Sequence, residues 1–209
     1  MNVLSISDTV IPAFQTPEIR EQVHGADFII ACGDLPYYYQ EFISESLCVP
    51  LYFVRGNHDK LIEYSADGDR TAPRGAIDLH RRFAHVGDLL LAGIEGSVRY
   101  NHWGIFQYSQ GEMWRYVISL IPGLLLNRLL HGRYLDIFIS HAAPWGIHDK
   151  PDWPHQGVRA YNWLLQTFKP KYHFHGHNHV YELNNTVQTQ VGETLVVNTY
   201  GYRQMDLTF

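Results

Sequence analysis

Cysteine is scarce in this chain of 209 residues, which contains only Cys32 and Cys48. Two cysteines do not make a disulfide framework, so the fold must depend on a buried core. Cys32 lies in an apolar run that is typical of such a core.

Long apolar runs are also lacking. The longest, over residues 117–130, is interrupted by Pro122 and Gly123, whereas a membrane span needs about 20 apolar residues. The N-terminus has no signal-peptide pattern. We therefore expect a cytoplasmic protein with no membrane partner.

An excess of basic charge is absent as well. Lysine and arginine total 16 against 21 aspartate and glutamate, a net charge of −5. Such a chain is a poor candidate for holding nucleic acid by charge, so we expect nucleic acid only as a substrate at a local site. A composition of 45% hydrophobic and 14% aromatic residues excludes disorder. No linker or repeat divides the chain, which predicts a single domain over residues 1–209 and gives no indication of oligomeric state.

Short apolar runs recur along the chain, and each ends at glycine or a polar residue, as buried strands do. They cover residues 3–7, 28–32, 51–55, 89–94, 137–140, 172–175 and 195–198. Helical patterns fit between several of them, over residues 17–24, 109–120, 124–130 and 158–168, with a break expected at Pro122-Gly123. Strands that alternate with helices predict an α/β fold with largely parallel pairing.

Histidine is the abundant residue, with 13 copies, and the positions of several are informative. Metal-ligating side chains recur where predicted strands end, at Asp8, Asp34, Asn57, His58, His141, His177 and His179. In open α/β sheets this edge is where ligands bind. Mixed carboxylate and imidazole ligands suit Mn, Fe or Zn better than Ca. Gly33, Gly56 and Gly176 precede ligands directly, and a residue without Cβ permits a sharp turn and close backbone approach.

The motifs occur in a recognisable order. Gly33-Asp34, Gly56-Asn57-His58-Asp59, His141 after a strand, and Gly176-His177-Asn178-His179 resemble those of the calcineurin-like metallophosphoesterases. The resemblance spans Asp8 to His179, which is most of the chain. It implies a four-layer α-β-β-α sandwich in which two mixed sheets are flanked by helices.

The resemblance also implies a site with two divalent metal ions. Asp34 would bridge the metals, while Asn57, His141 and His177 would complete one of them. Asp8 and His179 would bind the other. His58 would stand near the substrate as the general acid, since a histidine that titrates near neutral pH can protonate the leaving oxygen. Mn is the favoured metal, with Fe, Zn or Mg as alternatives.

Two positions depart from the family pattern. The first motif is usually Asp-x-His, and here Val10 replaces its histidine. Either the first metal site is weaker and wetter, or His24, His102 or His148 fills the gap, or only the second metal binds tightly. The lost nitrogen ligand favours Mn or Mg at the first site. Tyr37 replaces an aspartate that orients the catalytic histidine, so Asp59 or a backbone carbonyl would have to orient His58.

These features predict a metallophosphoesterase in which a metal-bound hydroxide attacks a phosphodiester or phosphomonoester. The compact chain favours a small substrate, such as a cyclic nucleotide or a short diester. Arg99 follows a strand end and offers a bidentate fork to phosphate oxygens, and His102 lies in an aromatic loop that could line a pocket. The alternative is a catalytically weakened metal- and nucleotide-binding or regulatory protein on the same fold, which Val10 and Tyr37 favour.

Overall fold

The computed structural model describes residues 1–16, 18–180 and 186–209. The strands are β1 (Asn2–Ser7), β2 (Phe28–Ala31), β3 (Leu51–Phe53), β4 (Ile77–Asp78), β5 (Phe83–Val86), β6 (Leu89–Ile94), β7 (Ser97–Val98), β8 (Gln107–Tyr108), β9 (Ile137–Ser140), β10 (Tyr172–His175), β11 (Gln188–Val191), β12 (Thr194–Asn198) and β13 (Gly201–Asp206). The α-helices are α1 (Ile19–Gln22), α2 (Tyr37–Leu47), α3 (Gln110–His131) and α4 (Arg159–Phe168). Short 3₁₀ turns cover Pro12–Gln15 and Trp153–His155.

Two large sheets organise these strands. The first has the order β13-β1-β2-β3-β4 and the second the order β11-β12-β10-β9-β6-β5, while β7 and β8 form a small separate pair. Pairing inside both large sheets is parallel, and the edge strands β13, β11 and β5 are antiparallel to their neighbours. The prediction of largely parallel pairing is therefore confirmed, and both sheets are mixed.

The alternation of side chains along the strands builds the layers. In β2, Phe28 and Ile30 face the second sheet, where they join a core with Ile137 and Phe174. Ile29, between them, faces the opposite way and joins a core that includes residues of α2. Helices α3 and α4 cover the outer face of the second sheet. The fold is thus the predicted four-layer arrangement of two mixed sheets with helices outside. Alternate side chains of a strand point to opposite faces, so each sheet packs on the other sheet with one face and on helices with the other.

Helix α3 corrects one prediction. The helix does begin at the expected capping box, in which the Ser109 hydroxyl accepts from the Glu112 N–H and the Glu112 carboxylate accepts from the Ser109 N–H. The predicted break at Pro122-Gly123 is wrong, because the helix runs on to His131. A side chain at Gly123 would overlap the ring of Phe83, so this glycine lets the helix pack closely on β5. The helix is thus continuous although Pro122 has no N–H to donate within it.

Other elements lack a clear sequence signal. Helix α2 was not predicted, and its N-terminal N–H groups at Tyr37 and Tyr38 donate to the distant carboxylate of Glu63. Helix α1 is shorter than the predicted 17–24, and Pro17, its expected first residue, lies outside the described residues. Among the described residues, no helix has both the length and the apolar character needed to cross a membrane.

Candidate metal centre

The predicted ligands meet at one rim of the sandwich. Asp8 and Asp34 follow β1 and β2 of the first sheet, while His141 and His177 follow β9 and β10 of the second. Asp8, Asp34 and His177 have φ values of 64°, 58° and 67°, in the left-handed region that few residues other than glycine adopt. Both sheets therefore contribute to the site, and the backbone turns sharply at three of its side chains.

A tight cluster forms around His141, whose side chain is fully buried. Its Nε2 lies 3.0 Å from Asn57 Oδ1, 3.1 Å from His177 Nδ1 and 3.3 Å from Asp34 Oδ2. The ligand atoms of Asp34, His141 and His177 all lie within 4.8 Å of one another. The structure thus brings together the four side chains that the resemblance assigns to one metal.

The positions of the ring protons follow from two carbonyl groups. His141 Nδ1 lies 2.7 Å from the Cys32 carbonyl oxygen, and His177 Nε2 lies 2.7 Å from the Pro154 carbonyl oxygen. A carbonyl oxygen only accepts hydrogen bonds, so each of these nitrogens carries its ring's proton. In neutral rings, His141 Nε2 and His177 Nδ1 are therefore lone-pair atoms that face each other. Such a pair, beside a carboxylate, needs a shared positive charge, which is either a proton or a metal cation.

Burial and charge set the pKa values of this cluster. Burial alone would lower the pKa of His141, but the charge of Asp34 and a hydrogen bond to it raise that pKa to about 9. Burial alone would raise the pKa of Asp34, but the charge and hydrogen bond of His141 lower it to about 2. Burial and the charge on His141 lower the pKa of His177 to about 4. In the metal-free protein, the shared proton therefore resides on His141.

Asp8 and His179 lie beside this cluster. The His177 backbone N–H donates to the Asp8 carboxylate at 3.0–3.1 Å, and His179 Nε2 lies 3.7 Å from Asp8 Oδ1. The His179 ring stacks on Tyr200 with a centroid distance of 4.7 Å, and its side chain is 38% exposed. His179 thus lies on a half-open part of the rim, beside an Asp8 carboxylate that is only 1% exposed.

The missing imidazole at Val10 is not replaced by any of the three histidines considered. Val10 packs against the outer core of the first sheet. His24 and His102 are exposed. His148 uses both ring nitrogens elsewhere, with Nδ1 at 2.9 Å from His175 Nε2 and Nε2 at 2.8 Å from Thr189 Oγ1. In the part of the chain that the structure describes, no contact brings any of the three to Asp8.

His58 stands at the edge of the cluster with an exposed side chain. Its backbone N–H donates to Asp34 Oδ1 at 2.8 Å. The Tyr100 hydroxyl lies 3.5 Å from His58 Nε2 and accepts from Asn57 Nδ2 at 3.1 Å. Tyr37 is engaged elsewhere, since its hydroxyl donates to the Lys60 carbonyl at 2.6 Å. Tyr100 is therefore the neighbour of His58 that sequence analysis missed, although it lies in the aromatic loop singled out for His102.

Asp59 does not orient His58, so that alternative is wrong. Its buried carboxylate accepts three backbone N–H groups, from Asp34 at 3.1 Å, Leu35 at 3.1 Å and Gly56 at 2.7 Å. Burial and the charge of Asp34 raise the pKa of Asp59 to about 7. Asp59 instead ties the loop that carries Asp34 to the loop that carries Asn57.

The two predicted substrate residues lie outside this cluster. The Arg99 guanidinium is paired with the Glu112 carboxylate at 3.2 Å and donates to the Gln107 carbonyl. His102 is exposed in the turn that follows Tyr100. Their roles in substrate binding stay predictions.

Glycine permits the close approach of the ligand loops. Gly33 has a φ of 93°, and a Cβ there would lie 2.8 Å from His141 Nδ1 and overlap the backbone of Gly56. A Cβ at Gly56 would overlap the Asp34 carboxylate. These two positions agree with the expectation that the turns before the ligands need residues without side chains.

Comparison with known proteins identifies the family. Residues 1–181 match the model of the calcineurin-like phosphoesterases, so the chain belongs to that family. An uncharacterized protein of Haemophilus influenzae is 26% identical over 184 residues, with 78% of this chain and 76% of that protein covered.

Solved structures share the fold at low identity. One crystal structure has a TM-score of 0.65 at 18% identity, covering 98% of this chain and 94% of the other. A second, described as GAP50, the anchor in the inner membrane complex of Plasmodium, has a TM-score of 0.51 at 12% identity, covering 96% of this chain and 71% of the other. The family is one of metal-dependent phosphoester hydrolases that bind divalent metals, and it includes members without catalysis.

The residues present fit a divalent cation. Once the shared proton leaves His141, two imidazole lone pairs, an amide oxygen and a carboxylate converge, which is a donor set suited to Mn, Fe or Zn. The other ring nitrogen of each histidine is fixed by a carbonyl, as is usual for metal-ligating histidines.

Metal binding here should depend on pH, because a cation and a proton compete for His141 Nε2. With the pKa of His141 raised to about 9, binding must release one proton at neutral pH. We expect the Mn²⁺ affinity to rise about tenfold from roughly pH 7 to pH 8, measured by calorimetry. The variant His24→Gln, which removes a remote exposed imidazole, should keep this slope. An affinity that is flat over this range would contradict the assignment.

The pKa values of His141 and Asp34 also contribute to the stability of the metal-free protein. The raised pKa of His141 gives a contribution that is fully present below pH 6.5 and is lost as pH rises through about 9. The lowered pKa of Asp34 gives a contribution that is present above pH 3.8 and is lost as pH falls through about 2. The pair therefore stabilises the metal-free fold across the whole neutral range.

Proposed function

We propose that this protein hydrolyses a small phosphoester, a diester or a monoester, at a site for two divalent cations. Asp34, Asn57, His141 and His177 would hold one cation, and Asp8, Asp34 and His179 the other. The observation that carries the proposal is the 3.1 Å approach of His141 Nε2 to His177 Nδ1 beside Asp34, with the other nitrogen of each ring held by a backbone carbonyl. Mn²⁺ is the favoured metal. When bound, such cations polarise a phosphoryl oxygen and make hydroxide available near neutral pH.

The chain's own groups have distinct tasks in this reaction. His58 would donate a proton to the leaving oxygen, since it is exposed at the edge of the cluster and its N–H is fixed by Asp34. Tyr100 holds the amide of Asn57 and lies beside the His58 ring, so it would keep both side chains oriented. Asp59 would hold the loop of Asp34 and the loop of Asn57 in fixed positions relative to each other.

A groove beside the cluster supports a small substrate. It has a volume of about 550 Å³, and its lining includes Asp34 and His58. Tyr38 and Tyr64 supply aromatic surface, Lys60 supplies a positive charge, and Glu63 and Asp67 add negative charge to the same lining. This volume lies within the range of small-molecule sites, and aromatic rings beside a cation suit a flat organic group attached to a phosphate.

The second candidate is a binding protein that has lost turnover. The observation that favours it is Val10, which packs against the outer core of the first sheet and leaves Asp8, His179 and the shared Asp34 as the proposed ligands of the first cation. A cation held by fewer protein ligands would exchange readily, and a nucleotide or a protein partner would then occupy the rim without being hydrolysed.

Two measurements separate the candidates. The first is turnover of bis-(p-nitrophenyl) phosphate and p-nitrophenyl phosphate by chelator-treated protein with and without added Mn²⁺. The second is anomalous scattering from a Mn²⁺-soaked crystal, which counts the cations and names their ligands. We expect Mn²⁺-dependent turnover of at least one ester. A protein that binds Mn²⁺ at Asp34 and His141 but hydrolyses neither ester with Mn²⁺, Fe²⁺, Zn²⁺ or Mg²⁺ would be the binding protein.

A further inference from the structure

Helix α3 is apolar on two opposite sides. Its inner side packs Val117, Leu120 and Leu124 into the core of the second sheet. Its outer side carries five large apolar side chains that are more than half exposed. A helix that is apolar all round is expected to be buried on all sides. The apolar outer side of α3 therefore indicates an interaction surface.

The exposed side chains form one continuous strip, which we name the outer stripe. It consists of Ile118, Pro122, Leu125, Leu126, Leu129 and Leu130. At about 100° per residue these positions fall on one side of the helix, opposite the buried residues. Leu129 is 81% exposed and Leu130 is 65% exposed. Single exposed leucines are ordinary, but a contiguous patch of this kind marks an interaction surface.

Basic side chains border the outer stripe although the chain as a whole is acidic. Arg115 lies at its N-terminal end. On one flank, Arg81 donates to Ser119 Oγ at 3.1 Å and lies over the Tyr116 ring. On the opposite flank, Arg128 donates to the Gly132 carbonyl and lies over the Tyr134 ring. Among the residues that the structure describes, none of these three guanidinium groups lies within 4 Å of a carboxylate. Their charges are therefore not neutralised by an ion pair within the described residues.

We propose that the outer stripe docks onto an anionic lipid surface. A surface helix with exposed leucines on one side and arginines at its borders has the form of an interfacial helix, which lies in the plane of the headgroups with its apolar side inserted. Anionic headgroups complement the three arginines. This inference departs from the expectation of no membrane partner, which considered only segments that span a bilayer.

The same charges disfavour a second copy of the chain as the occupant. Arg115 lies at the N-terminal end of the stripe. A second copy of α3 would offer this arginine no unengaged carboxylate to pair with. Glu112, the only acidic residue of α3, is occupied by Ser109 and Arg99.

Docking through this stripe leaves the candidate metal centre open. Helix α3 ends at His131, and β9 then begins at Ile137 and ends at Ser140, directly before His141. The helix and the strand run in opposite directions, so the C-terminal half of α3 lies toward the end of the sheet away from the ligands. A substrate dissolved in water would still reach the rim of a docked molecule.

Co-sedimentation with vesicles tests the proposal. Vesicles of phosphatidylcholine with phosphatidylglycerol are compared with vesicles of phosphatidylcholine alone. We expect the full chain to bind the mixed vesicles and to bind pure phosphatidylcholine much less. The double variant Leu126→Gln, Leu129→Gln keeps helix propensity and should lower partitioning at least about tenfold. Arg115→Gln and Arg128→Gln should each lower it about fivefold.

Leu61→Gln is the matched control, because Leu61 is 59% exposed but lies outside the stripe, and it should bind like the unchanged chain. Circular dichroism and melting confirm that each variant is folded. The proposal is overturned by a folded double variant that binds as well as the unchanged chain, or by an unchanged chain that binds neither kind of vesicle. A concentration-dependent dimer that is lost in the double variant would assign the stripe to a second copy instead.

Discussion

Replacing Asp34 with asparagine is expected to lower Mn²⁺-dependent turnover of bis-(p-nitrophenyl) phosphate by more than about 100-fold. The amide keeps an oxygen that can accept the His58 N–H, which Asp34 accepts at 2.8 Å, so the loop can keep its shape. What the change removes is the negative charge beside His141. Without that charge, two cations at the site would repel each other, and the largest cause that raises the pKa of His141 would be lost.

Asp27→Asn is the control for this result, because Asp27 is an exposed carboxylate that accepts the Asn2 N–H at the opposite end of the strands. It should retain full turnover. Calorimetry with Mn²⁺ on the Asp34→Asn protein separates loss of metal from loss of chemistry. Turnover of Asp34→Asn within threefold of the unchanged protein would place the reaction elsewhere on the molecule.

Replacing His58 with alanine is expected to have an effect that depends on the leaving group. A general acid contributes about 10²–10⁴-fold when the leaving oxygen needs a proton. An alkyl phosphoester should therefore lose roughly that factor in turnover, whereas p-nitrophenolate leaves without a proton and its ester should lose less than about tenfold. The His58 side chain is exposed and its backbone N–H remains, so the Asp34 contact survives the substitution.

The comparison of two esters makes the His58 result specific. A variant that merely misfolds, or loses metal, would lose turnover of both esters equally. His24→Ala, which removes an exposed imidazole far from the rim, should change neither. Equal losses for the alkyl and p-nitrophenyl esters, with Mn²⁺ binding retained, would rule out His58 as the proton donor.

The sequence predicts an element of the fold well where all of its residues are buried, because such an element is a continuous apolar run. Strands such as β9, whose four residues are all buried, are continuous apolar runs and were predicted with their correct bounds. Edge strand β13 is only partly buried and has no such run. Helix α2 is held at its N-terminus by Glu63, more than twenty residues away, and α3 continues past Pro122 because its neighbours pack there. Contacts between distant segments decide these cases, and single-segment patterns do not contain them.

The candidate site likewise has a part that the sequence predicts and a part that it does not. The side chains that could contact a metal directly have recognisable chemistry, and the strand ends place them at one rim. The groups that hold them are less visible, since carbonyl oxygens of Cys32 and Pro154 have no side-chain signature. Tyr100 lies in the same loop as His102, and the sequence of that loop does not indicate which of the two rings contacts Asn57. Asp59 follows His58 directly, yet its carboxylate turns to the backbone of another loop.

The candidate site joins the two sheets of the sandwich. The His141 ring reaches the Cys32 carbonyl after β2, and the His177 N–H reaches the Asp8 carboxylate after β1. A cation bound by Asp34 and His141 would therefore be a cross-link between the halves of the protein, and its affinity would add to folding stability by mass action. Removal of the cation by a chelator would then weaken the contact between the two sheets, so the melting temperature of the protein should increase with metal occupancy.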